Sequence, residues 1–292
     1  MTPRLLTTRA ALAELDDLRA RGPLTLVPTM GALHEGHLSL VRRAAAEGGP
    51  VAVSIFVNPT QFGPHEDFDR YPRTLEADLE LLAREGVDAV FAPSVEEMYA
   101  APDGVRVEPG PRAAPLCGAR RAGHFRGVLT VVLKLFHLVR PDAAVFGRKD
   151  AQQCLVIGEM VRDLDVPVRL IDAPTLREPD GLAMSSRNRY LSPPERTRAL
   201  GISRALAAAR RSLEAGERDR AAVEETLALH LADLDVVDYA EARRVPDLDA
   251  PDTLDGRVLL AVAAYVGATR LIDNLTLDLD GGVVRDAPLL EG

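Results

Sequence analysis

Short apolar, β-branched runs alternate along this chain with longer stretches in which apolar positions recur every three or four residues. The runs lie at 24–28 (LTLVP), 51–57 (VAVSIFV), 88–92 (DAVFA), 143–146 (AAVF) and 166–172 (VPVRLID), and helical patterns cover 36–47, 74–85, 125–139 and 150–164. Strands alternating with helices in this way predict βαβ units around a parallel sheet, an α/β architecture. The opening MTPRLLTTRAALAELDDLRA has the spacing of an amphipathic helix and carries acids, unlike a cleaved leader. Near residue 190 the pattern changes. An Ala/Arg/Glu-rich helix is predicted over 194–215 with Gly216 past its end, then a helix over 219–232 and strand-like segments at 235–243, 257–266 and 269–275, separated by Pro and Gly. This part predicts a smaller α+β unit with antiparallel strands. Its Ala-rich helices keep an apolar stripe at helical spacing, which packing explains better than low complexity.

Composition narrows the class. A chain of 292 residues with 47% hydrophobic content can bury the core of one large or two modest domains. No apolar run approaches the ~20 residues that a spanning helix needs, so no membrane partner is expected. Cys117 and Cys154 are too far apart for a metal-binding pair and too few for a disulfide framework, which fits a reducing compartment, the cytoplasm. The formal charge of −9 repels nucleic acid unless positive charge is concentrated locally. Basic residues do gather at 120–126 (RRAGHFR) and 148–149, while acids dominate 214–256. That asymmetry favours a pocket for a small anion and gives no nucleic-acid partner.

In open parallel sheets ligands sit beyond the carboxyl ends of the strands, and there the unusual residues of this chain lie. The first turn, 29–37, carries Gly31, His34, Gly36 and His37 where a helix begins near Glu35 or Gly36. A helix start has unpaired N–H groups and roughly +0.5 charge, glycines allow close approach, and the imidazoles add donors, so an anion is welcome. As a metal site the pair lacks a third ligand. The second turn holds NPTQFG at 58–63. A third, FGRKDAQQ at 146–153, opens at Gly147 and leads through Lys149 into a helix, with Asp150 able to cap it or hold a hydroxyl. It does not match the P-loop pattern. The fourth, REPDGLAMSSRNRYLS at 177–192, carries serines and arginines, with Ser185, Ser186, Arg187 and Arg189 close together, as a polar clamp suited to a departing pyrophosphate.

Taken together, PTMGALHEGH, SIFVNPTQF, YPRT, GHFRGV, FGRKDAQQ and DGLAMSSRN followed by YLS resemble the pantothenate synthetases in order and spacing, closely over about 20–200 and more loosely beyond. The resemblance implies a Rossmann-like parallel sheet with helices on both faces, of the kind shared with class I aminoacyl-tRNA synthetases, HEGH standing for their HIGH signature and MSSR for KMSKS. It implies a nucleotide- and pantoate-binding domain over 1–176 and a smaller C-terminal α+β domain over 177–292. The implied reaction joins pantoate to ATP as pantoyl adenylate with loss of pyrophosphate, after which β-alanine displaces AMP. No protein nucleophile is required, so catalysis should rest on positioning and charge neutralisation, helped by Mg²⁺. A homodimer is also implied.

Carried over to this chain, Met30, Gly31, Ala32, Leu33, His34, Glu35, Gly36 and His37 would bind ATP, with both imidazoles on its phosphates and His37 the acid or proton donor. Gln61 would bind pantoate and later β-alanine, with Gln153 on the other side of pantoate. Gly147, Arg148, Lys149 and Asp150 would hold ribose and phosphates, Leu176 would meet adenine through its backbone, and Met184, Ser185, Ser186 and Arg187 would close on the phosphates. His34, His37, Lys149, Ser185, Ser186 and Arg187 form the implied catalytic set. Asn58 and Arg121 would lie near pantoate or pyrophosphate, and no protein ligand of Mg²⁺ is assigned. Two departures stand out: Arg148 where the family commonly has Glu, free either to tighten ATP binding or to point to solvent, and Ala122 where it commonly has Pro.

The remaining histidines and acids have plainer readings. His65 is expected in solvent or on a lid, His137 and His230 as structural residues, His124 as a support of the pocket, and the HEDFD acids at 65–69 as a solvated run. Two other functions share these motifs: a nucleotidylyltransferase or tRNA-charging relative, and a nucleotide-binding regulatory module without turnover. Gln61 and Gln153 in their full motifs and the acid-rich C-terminal third favour the ligase.

Overall fold

The computed structural model describes residues 2–64, 66–101, 104–280 and 282–290, so His65 lies outside the described residues. Among these residues the N-terminal part forms a six-stranded parallel sheet from β1 (Arg4–Leu6), β2 (Thr25–Thr29), β3 (Val51–Ile55), β4 (Ala89–Phe91), β5 (Ala143–Gly147) and β6 (Arg169–Ala173), in the order β1-β4-β3-β2-β5-β6. The chain winds outward from β2 through β3 to β4, then returns to lay β5 on the other side of β2. The order therefore reverses between β2 and β5, the place where open α/β sheets form a ligand crevice. Thr25 is paired with both Val51 and Ala143, which fixes the register of the two flanking strands on β2.

Successive residues of a strand face opposite sides of its sheet, and here both sides are covered. Leu26, Ala52, Ala144 and Phe146 enter one core with helices α6 (His124–Val139) and α7 (Ala151–Asp163), while Val27, Val53 and Val145 enter another with α2 (Glu35–Ala45) and α3 (Leu75–Arg84). The remaining helices in chain order are α1 (Asp16–Arg19), α4 (Val95–Met98), α5 (Cys117–Arg120), α8 (Pro193–Glu214) and α9 (Arg220–Leu229). Among the described residues no helix is long and apolar enough to cross a membrane.

The C-terminal part forms an antiparallel sheet of β7 (Val236–Arg244), β8 (Gly256–Val266), β9 (Thr269–Asp280) and β10 (Val283–Asp286), in the order β10-β9-β8-β7. One face of β8 (Val258, Leu260, Val262) packs on Ile202 and Leu206 of α8 and Val223 and Leu227 of α9. The other face (Leu259, Ala261) joins the core under α6 and α7. Apolar residues on both faces of one strand thus weld the two sheets together and bring β9 against the first sheet's ligand edge.

The N-terminus departs from its expected helix. Arg4–Leu6 is a strand paired with β4, and only a 3-10 turn over Ala10–Leu15 and the single turn of α1 follow it. Three residues are too few for an alternating pattern to show, and the gain comes from a distant partner, with Leu6 buried to 1% exposure. β10 has the same short, partner-dependent character.

Candidate active site

The first turn is shaped by one carboxylate. Asp78 of α3, 2% exposed, accepts from the backbone N–H of Ala32 at 2.9 Å and of Leu33 at 2.8 Å, and Thr74 Oγ1 donates to it at 3.3 Å. That grip holds Ala32 at φ 52°, a left-handed conformation uncommon for a residue with a side chain. Gly31, at φ 82°, runs so close to Asp78 and Ile55 that a Cβ would lie 3.0 Å from each.

The two histidines then close the helix start on each other. Gly36 N–H donates to His34 Nδ1 at 3.1 Å and His34 N–H donates to His37 Nδ1 at 3.3 Å, a capping box built from imidazoles, with ring centroids 4.1 Å apart. Burial, and next the Lys149 and Arg189 cations, lower the His34 pKa to about 4; burial, and next His34 and Lys149, lower that of His37 to about 3. Both rings are therefore neutral near pH 7. Because each Nδ1 receives a backbone N–H, each neutral ring carries its proton on Nε2, which leaves two Nε2–H donors. Gly36 admits this geometry, since a Cβ there would lie 2.8 Å from His34 Cε1 and 3.3 Å from Met184 Cβ. The HEGH and MSSR segments are thus in contact.

A cavity of roughly 590 Å³ between the sheets is walled by Lys149, Asp150, Gln153, Ser185, Arg187 and Arg121, with Asp238 and Arg270 on the C-terminal side. Met30, His34, His37 and Gln61 are not among its wall residues. Gln61 Nε2 donates to Met30 Sδ at 3.2 Å, and the Gln61 carbonyl meets His124 Nδ1 at 2.9 Å and Arg121 Nη2 at 3.3 Å, both on the cavity wall. Burial, and next Arg121, lower the His124 pKa to about 4, so this ring too is neutral.

Asn58 stands behind Gln61. It is 1% exposed, its amide nitrogen donates to Gln61 Oε1 at 3.0 Å and to the Gly127 carbonyl at 3.1 Å, and its oxygen accepts from Thr60 and from Tyr99 OH at 2.8 Å. All its polar atoms are engaged within the protein, so it orients Gln61. Both paired glutamines line the cavity, but Gln152 is buried and bonded to the Cys117 N–H and to the Arg112 and Pro115 carbonyls, whereas Gln153 is half-buried.

Several expectations are corrected. Arg148 takes neither of its expected courses: its Nε donates to Asp172 Oδ2 of β6 at 2.6 Å. The acids of 65–69 are not all a solvated run. Glu66 grips Arg121, Nε to Oε1 at 2.7 Å, and Asp67 grips Arg187 through two bonds of 3.0 and 2.9 Å. Burial opposes ionisation of both carboxyls, yet the two guanidiniums outweigh it and hold them below the usual range. Leu176, whose backbone was expected at adenine, is tied to the MSSR segment, its carbonyl accepting from Met184 N–H at 3.0 Å. Ser185 caps the 3-10 turn of Ser186–Tyr190 through its hydroxyl, and Ser186 is buried to 9% exposure. His137 and His230 are exposed on their helices, each bonded to a carbonyl one turn back. The Cys154 thiol is buried, which raises its pKa, and donates to the Gly147 carbonyl.

A parallel sheet with an amide- and imidazole-lined helix start at its reversal point, and cationic turns opposite, defines a nucleotide-binding α/β enzyme. The family profile of Pantoate-beta-alanine ligase matches residues 4–276. A pantothenate synthetase of Thermotoga neapolitana is 55% identical over 253 residues, covering 86% of this chain and 90% of that one. The solved structure of the Thermus thermophilus pantothenate synthetase superposes with a TM-score of 0.87 at 46% identity, covering 93% and 98% of the two chains. That of the Francisella tularensis pantoate-beta-alanine ligase, complexed with beta-gamma ATP and beta-alanine, gives 0.75 at 34% identity, covering 93% and 97%. The chain belongs to the pantoate–β-alanine ligase family. It condenses pantoate with β-alanine at the expense of ATP, giving pantothenate, AMP and pyrophosphate through pantoyl adenylate.

Sequence reasoning passed over Asp78, Asp273 and Asn274. Asp78 had a signal: it occupies an apolar position in the Leu75, Leu79, Leu82 stripe of α3. The other two are adjacent polar residues inside the apolar strand β9.

Proposed function

We propose that ATP lies with its triphosphate across the start of α2, between His34, His37 and Lys149 on one side and Ser185, Ser186 and Arg187 on the other, with pantoate between Gln61 and Gln153. The observation that carries this reading is the pair of imidazoles at the start of α2, each with its Nδ1 taken by a backbone N–H, set beside the MSSR segment. Neutral donors in a buried site suit an attack in which negative charge moves onto pyrophosphate, because they stabilise it without first surrendering a proton. The pantoate carboxylate attacks the α-phosphorus and pyrophosphate leaves; the β-alanine amine then attacks the activated carbonyl and AMP leaves. Gln61 and Gln153 offer donor and acceptor together, which suits a hydroxyl-rich acid.

Among the described residues no three or more His, Cys, Asp or Glu side chains form a metal-holding group. The described carboxylates on the cavity wall do not cluster as metal ligands, which suits a Mg²⁺ that would arrive on the nucleotide's phosphates and supply counter-charge there. Division at 176/177 is part of this reading and is supported by the hairpin that begins there and carries the MSSR segment. So is a cytoplasmic homodimer, supported by the free thiols and by the family resemblance.

The test is pyrophosphate release in a single turnover with ATP and pantoate. His37→Ala should slow it on the order of 10²-fold or more, and the wild-type burst should need no β-alanine. A near wild-type rate in the variant removes His37 from the chemistry.

A further inference from the structure

Two residues of the C-terminal sheet reach both cationic turns of the site. Asn274 of β9, 7% exposed, donates through its one amide nitrogen to the backbone carbonyls of Arg148 at 2.9 Å and Lys149 at 2.8 Å. Arg148–Asp150 form a 3-10 turn that runs into α7, whose N-cap is Asp150, so both carbonyls lie in the turn that leads into the helix. Asn274 therefore fixes the two peptide planes that set the direction in which Lys149 leaves the backbone. Lysine is a flexible stem with a point charge, and fixing its root is the means by which a neighbour can aim it.

The adjacent residue acts on the other turn. Asp273, 4% exposed, accepts from Arg177 Nη1 at 2.6 Å and Nη2 at 3.1 Å, and from Asn274 N–H at 2.8 Å. Arg177 in turn donates to the Gly181 carbonyl at 3.2 Å and is bridged to Ala183, which closes the hairpin leading into Met184, Ser185 and Arg187. Successive side chains of a strand point to opposite faces, so two consecutive residues hold two different turns and fix the distance between them.

We propose that Asp273 and Asn274 are positioning residues for adenylate formation, holding the Lys149 turn and the MSSR hairpin at the separation the triphosphate requires. This rests on the assignment of those turns to the phosphates. Its consequence is selective: adenylation uses the β- and γ-phosphates, whereas aminolysis of pantoyl adenylate does not, so only the first half-reaction should depend strongly on the two residues.

Asn274→Ala is expected to slow single-turnover pyrophosphate release about tenfold or more and to raise the KM for ATP. With pantoyl adenylate supplied, its reaction with β-alanine should stay within about twofold of wild type. Asn274→Asp, of equal size, should slow adenylation further, because lone pairs then face two buried carbonyls. Should Asn274→Ala not fold, Arg177→Lys, which keeps the charge and loses the two-point grip, carries the same expectation. Equal slowing of both half-reactions, or adenylation at the wild-type rate, overturns the proposal. Lys149→Ala is the control: if adenylation is unaffected there, the assignment of the turns itself fails, whereas slowing in Lys149→Ala with none in Asn274→Ala refutes only the positioning role.

Discussion

The turn between β2 and α2 and the acids Glu66 and Asp67 both belong to the proposed nucleotide site, and they are built in opposite ways. The first is made of neutral donors already held in place: Asp78 grips two N–H groups, the imidazoles cap each other, and nothing in it needs a counter-ion. The second is made of charges that cancel: Glu66 sits on Arg121 and Asp67 on Arg187, each member 17 to 30% exposed. A half-buried guanidinium without a partner is costly, and the adjacent carboxylates give Arg121 and Arg187 theirs; under the proposed placement of the triphosphate these carboxylates occupy the positions its phosphates would take. Rigid donors serve direction; exchangeable ion pairs serve charge.

The largest effect expected from breaking this contrast is on the rigid side. Asp78→Ala orphans two buried N–H groups and releases Ala32 from its left-handed conformation, which should lower stability on the order of 3 kcal/mol and slow adenylation at least 10²-fold through misaligned imidazoles. Urea unfolding and pyrophosphate release measure the two. Asp78→Asn keeps one acceptor and should recover part of both, and a variant that is stable and fully active would mean that the turn holds itself.

The charged side should respond with the other sign. If Glu66 and Asp67 compete with phosphate for the guanidiniums, the double change Glu66→Gln, Asp67→Asn should tighten binding of a non-hydrolysable ATP analogue, by about tenfold at low salt. Added salt should shrink the gain. Calorimetric titration decides it: weaker binding in the double variant would show that the two acids build the site and do not merely occupy it.

This contrast also marks how far the sequence could be read. The βαβ alternation and the antiparallel tail were legible because most of their strands read as apolar, β-branched runs and their longer helices carry an apolar stripe at helical spacing, and the glycines, histidines and cations in the turns flagged which strand ends carry chemistry. What holds those turns was not legible. Asp78 comes 45 residues after the Leu33 amide it binds, and Asn274 125 after the Lys149 carbonyl. No local spacing encodes such pairs, and only the misplacement of polar residues in apolar stripes hints at them. The HEDFD acids failed for the same reason: a charge run reads as solvated until the partner arginines, 55 and 120 residues away, are folded against it. Arg4–Leu6 took its conformation from β4 and not from its own pattern.

The smallest expected effect sharpens the neutral side. His34 is held at about 4, below its ordinary 6.5, so on acidification the unfolded chain takes up the proton first while the folded ring stays neutral. Its contribution to stability is therefore complete above pH 6.5 and drains away as the pH falls from there toward 4, which is the direction linkage requires for a depressed folded-state pKa. His34→Asn keeps an acceptor at the N-cap but does not titrate. Between pH 8 and pH 6 the wild type should lose about 0.8 kcal/mol more stability than this variant, read as a larger shift of its denaturation midpoint. An equal loss in both would mean that the ring is protonated in the folded enzyme at pH 6, and the site would then present a cation, not a neutral donor, to the nucleotide.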